Sequence, residues 1–282
     1  MALHTELGEF LQSRRSRLRP EDVGLPTYDE RRRVPGLRRE ELAQLAGVSA
    51  SYYTRLEQGQ SLNASVEVLD ALARALRLDE HERMYLRDLA VAKTREPDVT
   101  AEAEHPTASM RSLLRAMGGV PAVLTGRRCD ILAWNTMGHA LFAGHVTIDA
   151  PERPQQRPNI ARLIFTDAHT RSLYADWQSK AKSVVEHLRL MAGRYPCDPL
   201  LAALIGELAM QSQDFATLWA DHRVHACDTA TYELHHPLVG GLTITQQSLT
   251  ATAAPDQFLA VATTEPDSPS EAALLLLAQL AA

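Results

Sequence analysis

Two short runs near the start of this 282-residue chain concentrate arginine: QSRRSRLR at 12–19 and DERRRVPGLRRE at 29–40. The second leads directly into ELAQLAGVSASYYTRLEQG at 41–59. Guanidinium groups suit phosphate oxygens and guanine edges, and the serine and tyrosine hydroxyls beside them can reach other base edges. That chemistry belongs to nucleic-acid recognition. The formal net charge of −6 argues against indiscriminate nucleic-acid binding, so any phosphate footprint must come from local basicity.

Bond-making chemistry finds little support. The chain has no G-x-S-x-G, no Walker A lysine loop, no G-x-G-x-x-G and no H-E-x-x-H, and we read it as a non-enzyme. Five candidate metal ligands, His222, His225, Cys227, His235 and His236, fall within fifteen positions, but their spacing does not make the pairs a zinc site uses, so no metal is expected. Cys129, Cys197 and Cys227 are odd in number and far apart, which fits a reducing compartment better than a disulfide framework. No apolar run reaches the roughly 20 residues of a membrane helix, and the first residues lack a signal layout; the expected location is the cytoplasm, with no membrane partner.

Which elements would position the arginines? Residues 1–95 read as five helices. Thr5 is the expected cap of the first, with Leu7, Phe10, Leu11 and Leu18 at helical spacing. A proline- and glycine-bearing connection follows, then LRREELAQLAG, stopped by Gly47. Ser49 caps the third helix and Ser65 the fourth, and Asp79 with Glu82 forms a capping box for the fifth. Residues 96–106 form a linker poor in large apolar residues. From 107 to 282, strand, turn, strand at PAVLTGRRCDILAWN, a block of helices, two further strands after residue 237 and a terminal helix predict an α+β domain on an antiparallel sheet.

Within 39–59, Ala43 is the close-approach position, Gly47 the turn, and Val48, Tyr53 and Leu56 the core anchors of a helix-turn-helix. Ala50, Ser51, Tyr52 and Arg55 are thereby left on the outer face of the third helix beside its cap Ser49, where such helices touch base edges in the major groove. The stretch resembles the Xre-type helix-turn-helix of phage-repressor-like regulators. The resemblance implies that Arg39, with Arg38 beside it, meets a DNA phosphate, and that Glu57 pairs with Arg15 on the first helix in a structural role. Arg31, Arg32 and Arg33 are either a solvated charge run or a further backbone contact. One such unit reads few base pairs, so a homodimer on double-stranded operator DNA is expected.

In the second region D-W at 176–177, L-R-x-x-A-G at 188–193, D-P-x-L at 198–201, F-x-x-L-W-x-x-H-x-V at 215–224 and H-P-x-V-G at 236–240 occur in that order. They resemble the ligand-binding domain of MmyB-like transcription regulators. That resemblance implies a PAS-like fold with helices on one side of the sheet and a pocket for a small, fatty-acid-like ligand. Candidate walls are Trp134, Asn135, Phe142, Phe165, Trp177, Phe215 and Trp219, each of which core packing would also explain. Arg189, Arg194, His222 and His236 are candidate partners for a carboxylate head group. A protein partner, or haem or flavin in the second domain, remains the alternative reading; no cofactor is required by the sequence.

Overall fold

Leu7, Phe10 and Leu11 give the first helix, α1 (Leu3–Arg17), one wholly buried face. The computed structural model describes residues 3–25, 36–60, 64–91, 104–222, 229–252 and 254–281. Around that face close α2 (Arg39–Ala46), α3 (Ala50–Glu57), α4 (Val66–Ala75) and α5 (Glu80–Val91), burying Leu42, Tyr53, Leu56, Leu72, Tyr85 and Leu86 with it. α1 starts two residues before Thr5, so Thr5 lies inside the helix and does not cap it.

The other helix starts follow from their side chains. Ser49 Oγ accepts from the Tyr52 amide and Ser65 Oγ from the Val68 amide, each satisfying a donor the helix itself leaves open. Asp79 and Glu82 bond each other's backbone amides at 2.8 and 3.0 Å, a complete capping box. Gly47 ends α2 at φ +67°, the left-handed conformation that turns the chain toward α3 with little steric cost only for glycine. Gly8 has a different reason to be glycine: a Cβ there would lie 2.0 Å from the Glu57 carbonyl oxygen, so the backbones of α1 and α3 touch where a side chain is absent.

Two compact units divide the chain. Met1–Val99, Arg189–Asp198 and Trp219–His225 make the first; Thr100–Leu188, Pro199–Leu218 and Ala226–Ala282 make the second. The second is built on five antiparallel strands, β1 (Ala122–Thr125), β2 (Ile131–Trp134), β3 (Thr229–His236), β4 (Gly240–Ala251) and β5 (Ala254–Thr263). Their spatial order is β2-β1-β5-β4-β3, a PAS-like sheet. β3 was absent from the sequence-based expectation, which had only two strands after the helical block.

Because strand side chains alternate faces, the register assigns the helices to sides. α6 (Ala108–Ala116) packs Met110 and Leu114 on Ala122, Leu124, Leu259 and Val261. The opposite face presents Tyr232, Leu234, Leu242, Ile244 and Phe258. It receives α10 (Trp177–Arg194) through Lys180 and His187, and α7 (Thr136–Ala143) through His236. Helices therefore flank both faces, a departure from the one-sided arrangement expected. α8 (Ile160–Thr166), α9 (Ala168–Leu173), α11 (Pro199–Gln211), α12 (Gln213–Ala220) and α13 (Pro269–Ala281) complete the α-helices among the described residues. No described helix is long and apolar enough to cross a membrane.

Candidate nucleic-acid interface and ligand domain

The recognition-type helix α3 is held at its C-terminal end by an ionic knot. Arg15 donates from Nε and Nη2 to the two oxygens of Glu57 at 2.9 and 2.8 Å, and from Nη1 to the Leu37 carbonyl at 2.6 Å. Arg39 adds Nε at 3.0 Å and Nη2 at 2.8 Å to Glu57 Oε1. The Glu57 side chain is 1 % exposed, whereas that of Arg39 is 44 % exposed. Burial pushes the Glu57 carboxyl up, but Arg15, then the neighbouring Tyr53 hydroxyl and Arg39, bring it below its ordinary value. Helices α1, α2 and α3 are thus tied at one carboxylate.

Beyond that knot, Arg38, Ser49, Ser51 and Arg55 are exposed, and Tyr52 is half-buried. Ala50 is partly buried against the core, so its side chain serves α3 more as packing than as an outward group. The Arg38 amide donates to Glu41 at 2.6 Å, and Ser49 Oγ is occupied as a cap and lies 3.3 Å from Ser51 Oγ. Arg31, Arg32 and Arg33 fall outside the described residues. Three arginines of the first run are paired within the chain: Arg14 with Glu82 at 3.0 Å and Arg15 with Glu57, both largely buried, and Arg17 with Asp221 at 2.8 Å on the surface, while Arg19 is exposed.

The expected ligand residues divide between the two units. Phe165, Trp177 and Phe215 form one aromatic cluster of edge contacts, with Phe165 5.7 Å from Trp177 and 5.1 Å from Phe215. Trp177 Nε1 donates to the Ile164 carbonyl, and Arg171 stacks on its ring at 3.7 Å. Trp134 donates to the Ile148 carbonyl and lies against His139. Phe142 is partly buried in α7. Asn135 is a scaffold: its Oδ1 caps α7 through the Gly138 amide and accepts from the Ala122 amide, while Nδ2 donates to the Val120 carbonyl.

His236 uses both ring nitrogens, Nε2 to the Ala140 carbonyl at 3.0 Å and Nδ1 from the Leu238 amide at 3.3 Å, which leaves neither for a metal. His235 precedes it on β3 and faces the other way. His225 and Cys227 lie outside the described residues.

Arg189, Trp219 and His222 belong to the first unit. Arg189 is buried, stacks on the Trp219 ring at 4.2 Å, donates to the Trp219 carbonyl, and lies 3.0 Å from His222 Nδ1. Arg194, on the same stretch, lies 5.6 Å from the Tyr195 ring. Burial, then Arg189, Arg14 and Arg17, push His222 down to about 4, so at neutral pH it is an uncharged acceptor and offers a carboxylate no positive charge.

One side chain escaped sequence reasoning. Lys180 lies three residues after Trp177, on the apolar stripe of α10, and is 7 % exposed. Its ammonium donates to Gln246 at 3.1 Å and faces the rings of Tyr232 and Tyr174 at 4.7 and 5.6 Å. The signal was available, since a lysine inside an apolar helical stripe must bring its own polar partners.

Residues 106–277 match the family described as MmyB-like transcription regulator ligand binding domain. The chain belongs to the MmyB-like family. Residues 6–86 match a helix-turn-helix domain, and the curated proteins offer no match. A helix-turn-helix joined to this domain makes the chain a DNA-binding transcription regulator with a small-molecule ligand-binding domain.

Two measurements test this geometry. Glu57→Ala leaves Arg15 buried without its carboxylate and is expected to destabilise the chain by about 3–5 kcal/mol, read as a lower denaturation midpoint. For pH, His187 is drawn down to about 4 mainly by burial, as is His222. Below the unfolded value of 6.5 the unfolded chain binds protons that the folded chain refuses. Stability is therefore complete above pH 6.5 and declines as pH falls toward 4. His187→Phe is expected to flatten that decline in thermal melts.

Proposed function

We propose that the chain is a cytoplasmic, homodimeric, sequence-specific repressor or activator whose second domain takes a fatty-acid-like ligand and thereby alters operator affinity. The observation that carries the DNA half is the knot at Glu57: it fixes α3 rigidly while leaving Ser51, Tyr52 and Arg55 on an accessible face. In this reading Ser51, Tyr52 and Arg55 read bases, and Arg38 with the exposed part of Arg39 meets phosphates. Arg39 then has two tasks, bracing α3 and touching the duplex backbone.

For the ligand half, support comes from Lys180, a buried ammonium in the apolar layer between α10 and the sheet. A long-chain acid needs apolar walls and one cationic or hydrogen-bonding anchor, and that layer supplies both kinds of group. Ligand acts by favouring one of two arrangements of the DNA-reading helices, and its effect on operator affinity is limited by its own differential affinity for the two.

The operator comes from selection among random duplexes. Arg39→Ala is then expected to weaken every duplex alike and to reduce the salt slope by about one, because it removes one phosphate contact. Arg55→Ala is expected to relax preference at particular base pairs, by about 1–3 kcal/mol each. Loss of affinity without any change of preference in either variant defeats the division into positioning and reading residues. For the ligand, organic extracts of natively purified protein analysed by mass spectrometry should contain a long-chain acid, and Lys180→Met should retain much less of it; equal retention removes Lys180 from the site.

A further inference from the structure

Helix α13 is apolar on more sides than its own domain covers. Leu277 is buried at 1 % exposure, and the helix packs on β4 and α7. Its other side presents Ala272, Leu275, Leu276, Gln279 and Leu280, all exposed, the three leucines at 61, 47 and 58 %. Those positions are spaced i, i+3, i+4, i+7 and i+8, the stripe by which a helix ordinarily enters a core. From Ala272 to Ala281 the helix carries no charged side chain. A helix that is apolar all round belongs in an interior, and among the described residues none covers this side.

We propose that the missing half is a second copy of this chain, with α13 packed on α13 across a two-fold axis. The inference rests on the homodimer in the function proposed above and names the surface that forms it. Two-fold pairing sets a stripe against itself, so a charged stripe would repel its own copy, whereas this one is neutral throughout. The single polar member, Gln279, carries both a donor and an acceptor and can satisfy its own copy in both directions. A helix of 13 residues is about 20 Å long, and two such stripes hide roughly 800–1,000 Å², below the ~1,200 Å² at which stable specific interfaces begin, so the contact is a weak, reversible one. A lipid surface fits poorly, because helices that lie on membranes line their polar face with lysine and arginine and α13 has neither.

The full-length chain, whose mass is 31.1 kDa, is examined by light scattering at micromolar concentrations, alone and with operator DNA. The wild type is expected at twice that mass. Leu276→Glu with Leu280→Glu is expected at the single-chain mass, its dimer Kd raised at least about a hundredfold, with circular dichroism unchanged because both side chains point away from their own chain's core. The corresponding lysine pair should also be monomeric, and an equimolar mixture of the glutamate and lysine chains should return to the dimer mass. A dimer that survives all these substitutions overturns the α13 contact but leaves the homodimer intact. A wild type that stays monomeric with and without DNA overturns both. Wild-type binding to phosphatidylcholine vesicles that the glutamate pair abolishes, without any dimer, gives the stripe to lipid and also overturns the proposal.

Discussion

A single buried carboxylate decides where α3, the helix proposed to face DNA, points. Glu57 closes α3 and receives Arg15 from α1 and Arg39 from α2, so three helices converge on two oxygen atoms. Such a knot gains little net stability over an apolar replacement of equal volume, because the Glu57 and Arg15 charges must leave water, while Arg39 stays partly solvated. It does, however, have one satisfactory geometry, and that geometry sets the angle of α3. Gly8 cooperates by omission: with no side chain there, α1 meets the Glu57 carbonyl directly, and the separation of α1 from α3 is set by backbone contact. The turn at Gly47 and the cap at Ser49 set where α3 begins. Its outward face is then the remainder.

That arrangement changes how the arginines should be counted. Residues 1–60 hold ten arginines and nine carboxylates, so the segment is close to neutral despite its basic runs. Arg14 and Arg15 are paired in the interior, and Arg17 is paired with Asp221 at the surface. Among the described residues, the outward positive charge near α3 comes down to Arg38, Arg39 and Arg55. Few phosphate contacts mean a weak sequence-independent term, and hence a greater share of affinity from base readout. A net charge of −6 works in the same direction, against sequence-independent binding.

What the sequence made legible, and what it hid, follows from the range of the interactions. The caps at Ser49, Ser65 and Asp79 and the turn at Gly47 are local, and each residue type has one physical reason for its position. The Arg15–Glu57 pair spans 42 residues and was accessible only through resemblance to a known motif. β3 was missed although Tyr232, Leu234 and His236 alternate cleanly with exposed Thr231, Glu233 and His235. The two adjacent histidines invite a test for metal ligation, which their spacing fails, whereas the alternation around them is the signal that identifies the strand. The pairing of β1 with β5 joins residues more than 130 positions apart, and nothing in either strand announces its partner. Lys180 was hidden for the opposite reason: its neighbours on α10 are so regularly apolar that the stripe reads as plain core packing, and the lysine within it gives no sign of the Gln246, Tyr174 and Tyr232 side chains that receive it.

The scarcity of outward charge also bears on why two copies matter. In the proposed reading, a single α3 reads only a few base pairs, and a second α3 on a joined copy meets its half-site at high effective concentration. In the proposed dimer, affinity then depends on the separation of the two α3 helices as much as on any one contact, because a mismatch of a few ångströms forfeits the second half-site. Control of operator binding therefore requires no change in α3 itself, which the Glu57 knot makes rigid. A ligand that alters the spacing between copies suffices, and a modest dimer contact such as the α13 stripe is better suited to that than a large one, since so small an interface can be biased by a few kcal/mol.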